Sequence, residues 1–349
     1  IQQQVEELKS LPTPHIDVVK SAYDQSVKQF QSVSDKIDKV NSMLQVVPNF
    51  LGANGARTYL IIASTNSEAR SGGGLIGSLG TMTADHGVVT MGDFHPNTEF
   101  VPLGAESTSS EEALMNWPLD FSFDIRDQMA KPNFSQVATS VNDIWQRSRY
   151  AGQIDGVMAI DPVFIQEMVR VSGNITLDNG TVLTGDNTAE FLLNTIYKDV
   201  PVSMQDSYFE FVASEAMHKM FSGLTLDKMI AMAKTLTPMA QNRHLYMYSF
   251  HEDEAAHFQG AGLAKEAPNS EENPSVGVYM NEQNASKLDW YIHRTSKVTR
   301  QSCNADGSQT YHVTFTMTNT IPETDLSSGN SYILGGAPTI ASPGVAVER

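Results

Sequence analysis

The N-terminal part of the chain has apolar positions at helical spacing. Tyr23, Phe30, Ile37 and Leu44 recur every seven residues, and a second apolar row is offset from them by three or four positions. This spacing places both rows on one stripe of a helix of about thirty residues. We therefore predict a helical segment over residues 1–48 in which these four side chains are buried. The pattern leaves open whether the segment is a hairpin packed on its own domain or a stalk that dimerises.

After this segment the periodicity changes to that of an α/β protein. The predicted strands are short apolar runs bounded by turn residues, namely Thr58–Ser64, Leu79–Ala84, Val88–Met91, Ile154–Ile160 and Leu245–Phe250. Helical patterns occupy Ser135–Arg149 and Pro162–Val171, the second with Asp161 as its N-cap. Because buried strands alternate with helices, residues 58–177 are expected to form a sheet covered by helices. We predict an α/β domain over residues 49–250.

The C-terminal region has a third kind of pattern. Residues 251–273 are rich in acids, glycine and alanine, and we interpret them as a solvated loop. The alternating runs 276–280, 291–298 and 311–317 then predict strands. Residues 251–349 are therefore expected to form an acidic loop followed by a β-rich extension.

The glycine-rich loop between the first two predicted strands is the most prominent candidate site. Gly73 and Gly74 permit close approach of the backbone to a ligand, and Asn66 and Arg70 supply polar groups beside them. An arginine fork binds a carboxylate or phosphate through paired hydrogen bonds, and α/β proteins build ligand sites at strand ends. The loop therefore predicts a substrate-binding site formed by these four residues. A hairpin turn with a surface arginine explains the same residues without a ligand, and the local sequence does not decide between the two.

Composition limits the partners that the chain can have. The 349 residues contain 23 basic and 40 acidic side chains, a formal charge of −17, which argues against nucleic acid or an anionic membrane surface as the main partner. The single cysteine, Cys303, excludes an internal disulfide and a cysteine-based zinc site. No apolar run approaches the roughly 20 residues of a membrane span, and the first residue is Ile1 rather than methionine. We expect a piece of a longer protein that has an N-terminal membrane anchor.

Several blocks of the sequence resemble a family of extracytoplasmic bacterial proteins that is known only as a domain of unknown function and is common in Gram-positive bacteria. The blocks occur in the same order between residues 50 and 335: LGANGARTYLIIASTNSEARSGGGLIGSLGTMTADHGVV, DIRD, QIDGVMAIDPVFIQEMVRVSGNITL, TAEFLLNTIY and SKLDWYIHR. More distantly, Ile154–Leu177 is similar to a strand–aspartate–helix block of the LytR–CpsA–Psr family, whose members transfer glycopolymers from polyprenyl pyrophosphate carriers to peptidoglycan. The resemblance implies a LytR–CpsA–Psr-like central sheet flanked by helices. It also implies an extracytoplasmic, cell-surface protein that is membrane-anchored at full length.

The resemblance to the LytR–CpsA–Psr family also implies a set of site residues. In that family arginines hold the lipid pyrophosphate, and an aspartate helps to bind Mg²⁺. Carried over to this chain, Arg70 and Arg126 are the candidate catalytic residues, and Asp124 or Asp127 is the candidate metal ligand. A pyrophosphate carries dense charge that arginine forks and a divalent ion must neutralise before transfer. The expected partner is a polyprenyl-linked glycan or a cell-wall polymer.

The chain departs from the LytR-like pattern at several charged positions. The chain has Gly77 and Ser78 in place of an aspartate, and Pro96, Asn97 and Thr98 in place of Pro-Arg-Asp. A later pair of arginines and a glutamine is not recognisable, and only Lys198, Asp199, Gln205 and Asp206 occur near its place. Two hypotheses therefore stand. One is a cell-envelope protein that binds, and in the fuller form transfers, polyprenyl-phosphate-linked glycan. The alternative is a non-catalytic structural or adhesive surface module, which does not need an apolar groove beside Arg70.

Overall fold

The structure is a computed structural model that describes residues 2–10, 17–104, 121, 124–223, 225–268, 275, 277–335 and 342–348. Its helices are α1 (Gln2–Lys9), α2 (Asp17–Phe50), α3 (Phe134–Gln146), α4 (Pro162–Ser172), α5 (Thr188–Glu190), α6 (Ile196–Asp199), α7 (Val202–Phe221), α8 (Leu226–Gln241), α9 (Glu252–Gly260), α10 (Glu323–Ser327) and α11 (Ser331–Leu334). Its strands are β1 (Arg57–Thr65), β2 (Leu75–Asp85), β3 (Val88–Met91), β4 (His95–Pro96), β5 (Gly156–Ile160), β6 (Ile175–Thr176), β7 (Val182–Leu183), β8 (Leu245–Ser249), β9 (Ile292–Cys303) and β10 (Gln309–Asn319). Short 3₁₀ helices occupy Asn97–Glu99, Val101–Leu103, Ile125–Ala130 and Leu288–Tyr291, and a π-helical turn, Phe191–Thr195, joins α5 to α6.

A six-stranded sheet forms the centre of the fold, with the strand order β3-β2-β1-β5-β8 and with β4 paired to β2. β1 is antiparallel to β2 on one side and parallel to β5 on the other, where Ile61 lies opposite Met158. All five residues of β5 are buried, as are Leu60 and Ile62 of β1. Such continuous apolar runs suit strands that are covered on both faces.

Helices cover both faces of this sheet. Leu60 and Ile62 of β1 belong to one apolar cluster with Val137 and Val141 of α3. Ile61 belongs to a second cluster, which includes residues of α4 and α7. Successive residues of a strand point to opposite faces, so the two clusters are the two sides of one sheet. The predicted α/β sheet flanked by helices is confirmed.

The predicted N-terminal helix is present as α2, but Phe30 and Ile37 of its apolar stripe are not buried within this chain. Phe30 and Ile37 are 51% and 45% exposed, and Val33 between them is 44% exposed. Tyr23 is half-buried, and the side chain of Leu44 lies outside the described residues. A period of seven identifies the apolar face of a helix but does not say which face another element covers.

A neighbouring face of α2 turns towards the rest of the chain instead. Ser34 is buried on this face, and Gln31 and Asp38 beside it are half-buried. At the end of the helix the Phe50 ring enters the core, where its centroid lies 4.8 Å from that of Tyr59. None of the described helices combines the length and the hydropathy that a membrane crossing requires.

The C-terminal region contains one confirmed and two corrected predictions. Residues 252–260 form α9 rather than a solvated loop, because Phe258 enters the core and buried Glu254 pairs with Arg57. Residues 277–280 lack the regular structure of the expected strand. β9 and β10 pair as an antiparallel hairpin whose residues are nearly all exposed, and this hairpin confirms the β-rich extension.

The segment before this hairpin lies against the sheet domain. Leu288 and Tyr291 are buried in the cluster that contains α4 and α7, and so are Ile333 and Leu334. The polar residues of segment 281–291 therefore reach the loop that follows β1.

Candidate functional site

A cavity of about 460 Å³ opens at the ends of β1 and β5. Its apolar wall includes Phe94, Ile160, Ile165, Leu192, Phe209 and Ala213. Ser64 and Thr65 mark the carboxyl end of β1 in the lining. In α/β proteins, ligands bind in the crevice outside the carboxyl ends of parallel strands. The cavity therefore lies where this kind of sheet offers a binding site.

The polar part of the cavity contains charges of both signs. Its bases are Arg126 and Lys287, and its acids include Glu68, Asp206 and Glu210. The side chain of Arg126 is 44% exposed, so a ligand in the cavity can reach its guanidinium. An amphiphile with an apolar chain and an anionic group would meet both kinds of surface here.

The guanidinium of Arg70 is held by other residues of the protein and is not free for a ligand. Its Nε and Nη2 donate to Asp127 Oδ1 at 3.3 and 3.1 Å, and its Nη1 donates to the carbonyl oxygens of Ala69 and Glu282 at 2.9 and 3.0 Å. The guanidinium also stacks over the ring of Phe121, 4.7 Å from its centroid. Arg70 is buried and is not among the residues that line the cavity. It joins the glycine loop to two other segments.

Asp124 and Arg126 form a local pair at the start of the 3₁₀ helix Ile125–Ala130. Arg126 Nε donates to Asp124 Oδ1 at 2.9 Å and its Nη2 to Oδ2 at 2.5 Å, while Asp124 Oδ1 also caps the backbone N–H of Arg126. The hydrogen bond to Asp124 raises the pKa of Arg126, although partial burial opposes it. Of the two predicted arginines, the structure therefore brings Arg126 to the cavity.

The predicted Mg²⁺ ligands are both engaged by arginines. Both oxygens of Asp124 accept from Arg126, and Asp127 Oδ1 accepts from Arg70. Burial raises the pKa of Asp127 even though Arg70 opposes the shift. Mg²⁺ demands near-octahedral oxygen ligands, and an ion at these carboxylates would have to displace both guanidinium groups. The arrangement does not fit Mg²⁺ as it stands, and Mg²⁺ binding there stays a prediction.

The glycine loop is shaped by contacts within the protein. A Cβ on Gly74 would lie 2.0 Å from the carbonyl oxygen of Thr65, so the two backbone segments touch there. Gly73 has φ of 133°, a conformation that favours glycine. Asn66 Nδ2 donates to Asp161 Oδ2 at 2.8 Å. The glycines thus permit the predicted close approach of the backbone, but the loop approaches other residues of the chain rather than a ligand.

Asp161 joins the ends of three elements beside the cavity. As predicted, it caps α4, with Phe164 N donating to its Oδ1 at 2.8 Å. Its Oδ2 also contacts His244 Nδ1 at 2.7 Å. Burial alone would lower the pKa of His244, but the hydrogen bond and charge of Asp161 outweigh it and the pKa is raised.

Lys287 is the functional candidate that sequence reasoning missed. Its Nζ contacts Glu68 Oε1 and lies 4.7 Å from the centroid of the Tyr197 ring. Burial lowers the pKa of this lysine, but the negative charge of Glu68 outweighs burial and raises it. The available signal was the SKLDWYIHR block, in which this lysine is the second residue.

The cavity coincides with the positions at which the chain departs from the LytR-like pattern. These lining positions are Gly77, Ser78, Pro96, Asn97, Thr98, Gln205 and Asp206. The pattern has an aspartate where this chain has Gly77 and Ser78, and it has arginine and aspartate where this chain has Asn97 and Thr98. The chain's departures from that pattern therefore lie around one cavity.

A family model matches the central part of the chain. Residues 54–197 match the family described as "Protein of unknown function (DUF4012)". The match includes the glycine loop, the DIRD segment and the strand–aspartate–helix block. The resemblance to a domain family of unknown function is confirmed. No curated protein matches the chain.

Three solved structures are similar to the chain at low identity. The Lin1025 protein from Listeria innocua has 11% identity and a TM-score of 0.33, over 79% of this chain and 95% of that chain. TagV from B. subtilis has 13% identity and a TM-score of 0.32, over 59% of this chain and 79% of that chain. A protein titled transcriptional regulator yvhJ from Bacillus subtilis has 13% identity and a TM-score of 0.29, over 79% and 94%. At such TM-scores the similarity carries no argument about the function of this chain.

Proposed function

We propose that this chain binds the polyprenyl-phosphate end of a lipid-linked glycopolymer on the extracytoplasmic side of the cell envelope, with the lipid in the cavity beside Arg126. The observation that carries the proposal is the apolar cavity at the strand ends, whose lining includes Gly77, Ser78, Asn97 and Thr98, where the LytR-like pattern has charged residues. Ligand pockets of this kind combine an apolar wall with a few polar groups that fix orientation. A polyprenyl phosphate has the matching division into hydrocarbon and anion.

Different lining residues would contact the hydrocarbon chain and the phosphate of such a lipid. Phe94, Ile165 and Phe209 belong to the apolar wall that would cover the hydrocarbon chain. Arg126 is the accessible base that would contact the phosphate. Lys287 is a second base, and it already forms an ion pair with Glu68. Arg70 would act from outside the cavity, through the loop that it holds.

Binding without transfer is the form of the function that the lining residues favour. Asn97 and Thr98 are uncharged where the LytR-like pattern has an arginine and an aspartate. Asp206 and Glu210 add negative charge to the same cavity. An anionic headgroup would meet repulsion there, so we expect affinity to rise when a divalent cation accompanies the phosphate.

Calorimetric titration with geranylgeranyl pyrophosphate, with and without MgCl₂, tests the proposal. We expect saturable binding by the wild type. Ala213→Phe places a ring in the apolar wall and should weaken binding at least tenfold. Ser214→Phe, at the next position of α7 and outside the cavity lining, is the matched control and should bind as the wild type does. Absence of binding by the wild type under both conditions would refute the proposal.

A second pair of variants tests the headgroup contact. Arg126→Ala should weaken binding of geranylgeranyl pyrophosphate about tenfold or more, since a charge-assisted hydrogen bond contributes about 1.5–3 kcal/mol. Binding of the uncharged alcohol geranylgeraniol should not change in this variant. Arg147→Ala is the control, because Arg147 is a similarly exposed arginine paired with Asp143 on α3. Equal losses for the charged and uncharged lipids would place the phosphate elsewhere.

One observation favours the alternative of a surface module. The β9–β10 hairpin exposes Tyr311, Val313, Phe315 and Met317, which alternate along β10 and therefore share one face. An exposed apolar face of this kind is typical of an interaction surface. If the wild type binds none of the lipids above, a surface module becomes the better hypothesis.

A further inference from the structure

Three carboxylates from distant parts of the sequence meet outside the cavity. Glu282, Asp289 and Glu348 each offer an oxygen within 4.8 Å of the other two, and within the described ranges they are the one such group of three or more acidic, histidine or cysteine side chains. Glu282 is 2% exposed and Asp289 6%, and the side chain of Glu348 is 6% exposed. None of the three lines the cavity, so the cluster does not depend on the proposed lipid binding.

The hydrogen bonds of the cluster leave two buried oxygens without a partner. Glu282 Oε1 accepts from the backbone N–H groups of Asn284 and Val347 at 2.6 and 3.1 Å. Among the described residues, Glu282 Oε2 and Glu348 Oε2 are buried and have no hydrogen-bond partner. A buried carboxylate oxygen without a donor is costly, and proteins rarely leave one unsatisfied. The two oxygens therefore indicate a ligand.

The charges of the cluster also remain unbalanced. Arg294 Nη2 contacts Asp289 Oδ1 and Glu348 Oε1, so one positive charge serves three carboxylates. With all three carboxylates ionised, they and Arg294 leave a formal charge of −2. The neighbouring bases are engaged elsewhere, since Arg70 pairs with Asp127 and Lys287 with Glu68. Buried charge of this size needs compensation.

We infer that the unpartnered oxygens of Glu282 and Glu348 bind a hard divalent cation, with Asp289 as the third carboxylate of the site. One divalent ion balances the formal charge of −2, and carboxylate oxygens are the ligands that Ca²⁺ and Mg²⁺ prefer. Ca²⁺ suits the cluster better, because it accepts carboxylates in mono- or bidentate geometry and adapts to irregular ligand sets.

The ion would fasten three segments to one another. Asp289 Oδ2 accepts from the backbone N–H of Ala69 in the glycine loop at 2.5 Å. Gln283 N donates to the carbonyl of Val347 at 2.7 Å, which brings the C-terminal segment to the same place. Lys287 lies between two of the ligands in sequence, so the ion would also stabilise the segment that carries this lysine into the cavity.

Titration of chelator-treated protein with CaCl₂, and separately with MgCl₂, tests the inference. Burial raises the pKa of Glu282 to about 7, so pH 8 keeps proton competition low. We expect one ion per chain by calorimetry and a melting temperature that rises with ion concentration, as for any ligand of the folded state. Terbium is a direct probe, because Trp290 and Tyr291 follow Asp289 in the sequence and would sensitise its luminescence.

Isosteric variants identify the ligands. Glu282→Gln and Glu348→Gln should each weaken Ca²⁺ affinity and terbium luminescence at least tenfold, with circular dichroism showing that the variants are folded. Glu323→Gln, an exposed glutamate on α10, is the control and should bind as the wild type does. The inference is wrong if the folded, chelator-treated wild type binds neither ion at millimolar concentration. It is also wrong if both cluster variants bind with unchanged affinity.

Discussion

Arg70 and Asp127 form a buried ion pair in which Arg70 Nη2 lies 3.1 Å from Asp127 Oδ1 and the side chains are only 8% and 9% exposed. The pair connects the loop after β1 to the 3₁₀ helix Ile125–Ala130. The same guanidinium reaches the carbonyl of Glu282, so three segments of the chain meet at one side chain. The geometry gives Arg70 a supporting role, and in the proposed function the contact with a ligand falls to Arg126.

Replacing Arg70 should therefore lower the free energy of unfolding more than replacing Arg126 does. Arg70→Ala leaves Asp127 buried without a counter-charge, and we expect the free energy of unfolding to fall by about 3–5 kcal/mol. In Arg126→Ala, Asp124 is only 8% exposed but keeps its hydrogen bond from the backbone N–H of residue 126, and the lost guanidinium is 44% exposed, so we expect a smaller loss of about 1–3 kcal/mol. Urea denaturation followed by tryptophan fluorescence measures both. Similar, small losses in the two variants would contradict a supporting role for Arg70.

The glycine loop makes a second prediction about stability. In Gly74→Ala the new Cβ would lie 2.0 Å from the carbonyl oxygen of Thr65, and backbone cannot yield as a side chain can. We expect a loss of about 1–3 kcal/mol or more from this overpacking. Gly152→Ala is the control, since the nearest heavy atom to its Cβ is 3.9 Å away and the change should stay within about 0.5 kcal/mol. Equal melting temperatures for the two variants would show that the loop adapts.

Much of the sheet domain could be predicted because its signals are local. Apolar runs predicted β1 and β5, and the Asp161-Pro162 pair predicted the start of α4, where Phe164 N donates to Asp161. The partners of Arg70 could not be predicted in the same way. Asp127 is 57 positions away and Glu282 is 212 positions away, so only the folded chain brings them together. A local pattern cannot distinguish an arginine that is held by the protein from one that is offered to a ligand.

The same limit explains two other differences between sequence and structure. Lys287 lies in a block that supported the family resemblance, but its partner Glu68 is 219 positions earlier. The heptad stripe of α2 identified an apolar face, and the structure turns a neighbouring face with Ser34 towards the body. Residue spacing predicts a helix or strand and its apolar face. Which face another element covers, and which charges pair, are tertiary properties.

The contact between His244 and Asp161 predicts a dependence of stability on pH. The pKa of His244 is raised in the folded state, so its protonated form stabilises the protein. This contribution is complete below the unfolded-state pKa of about 6.5 and is lost as pH rises through the higher folded-state value. The stability gap between wild type and His244→Gln should therefore be larger at pH 6 than at pH 9.

Denaturation with urea at several pH values measures this gap. Asp161→Asn is the matched variant, because asparagine still caps α4 but removes the charge that faces His244. Its stability should show the same loss of pH dependence as His244→Gln does. A gap between wild type and His244→Gln that is constant from pH 6 to pH 9 would mean that the histidine is not charged in the folded protein.

Lys287 and Glu68 predict a strong coupling that a double-mutant cycle can measure. Lys287→Met leaves Glu68 at the cavity without its buried partner, and Glu68→Gln leaves the more deeply buried Lys287 without its own. We expect each single variant to lose about 3–5 kcal/mol, because removing one member of a buried pair strands the other charge. The double variant removes both charges and should recover much of that loss, since replacing a whole buried pair is often nearly neutral.

The variants Arg147→Met and Asp143→Gln, which break an exposed pair at the end of α3, supply a control cycle with little coupling. Additive losses in the Lys287 and Glu68 cycle would show that the two groups are stabilised separately, and the lysine would then be free to serve a ligand.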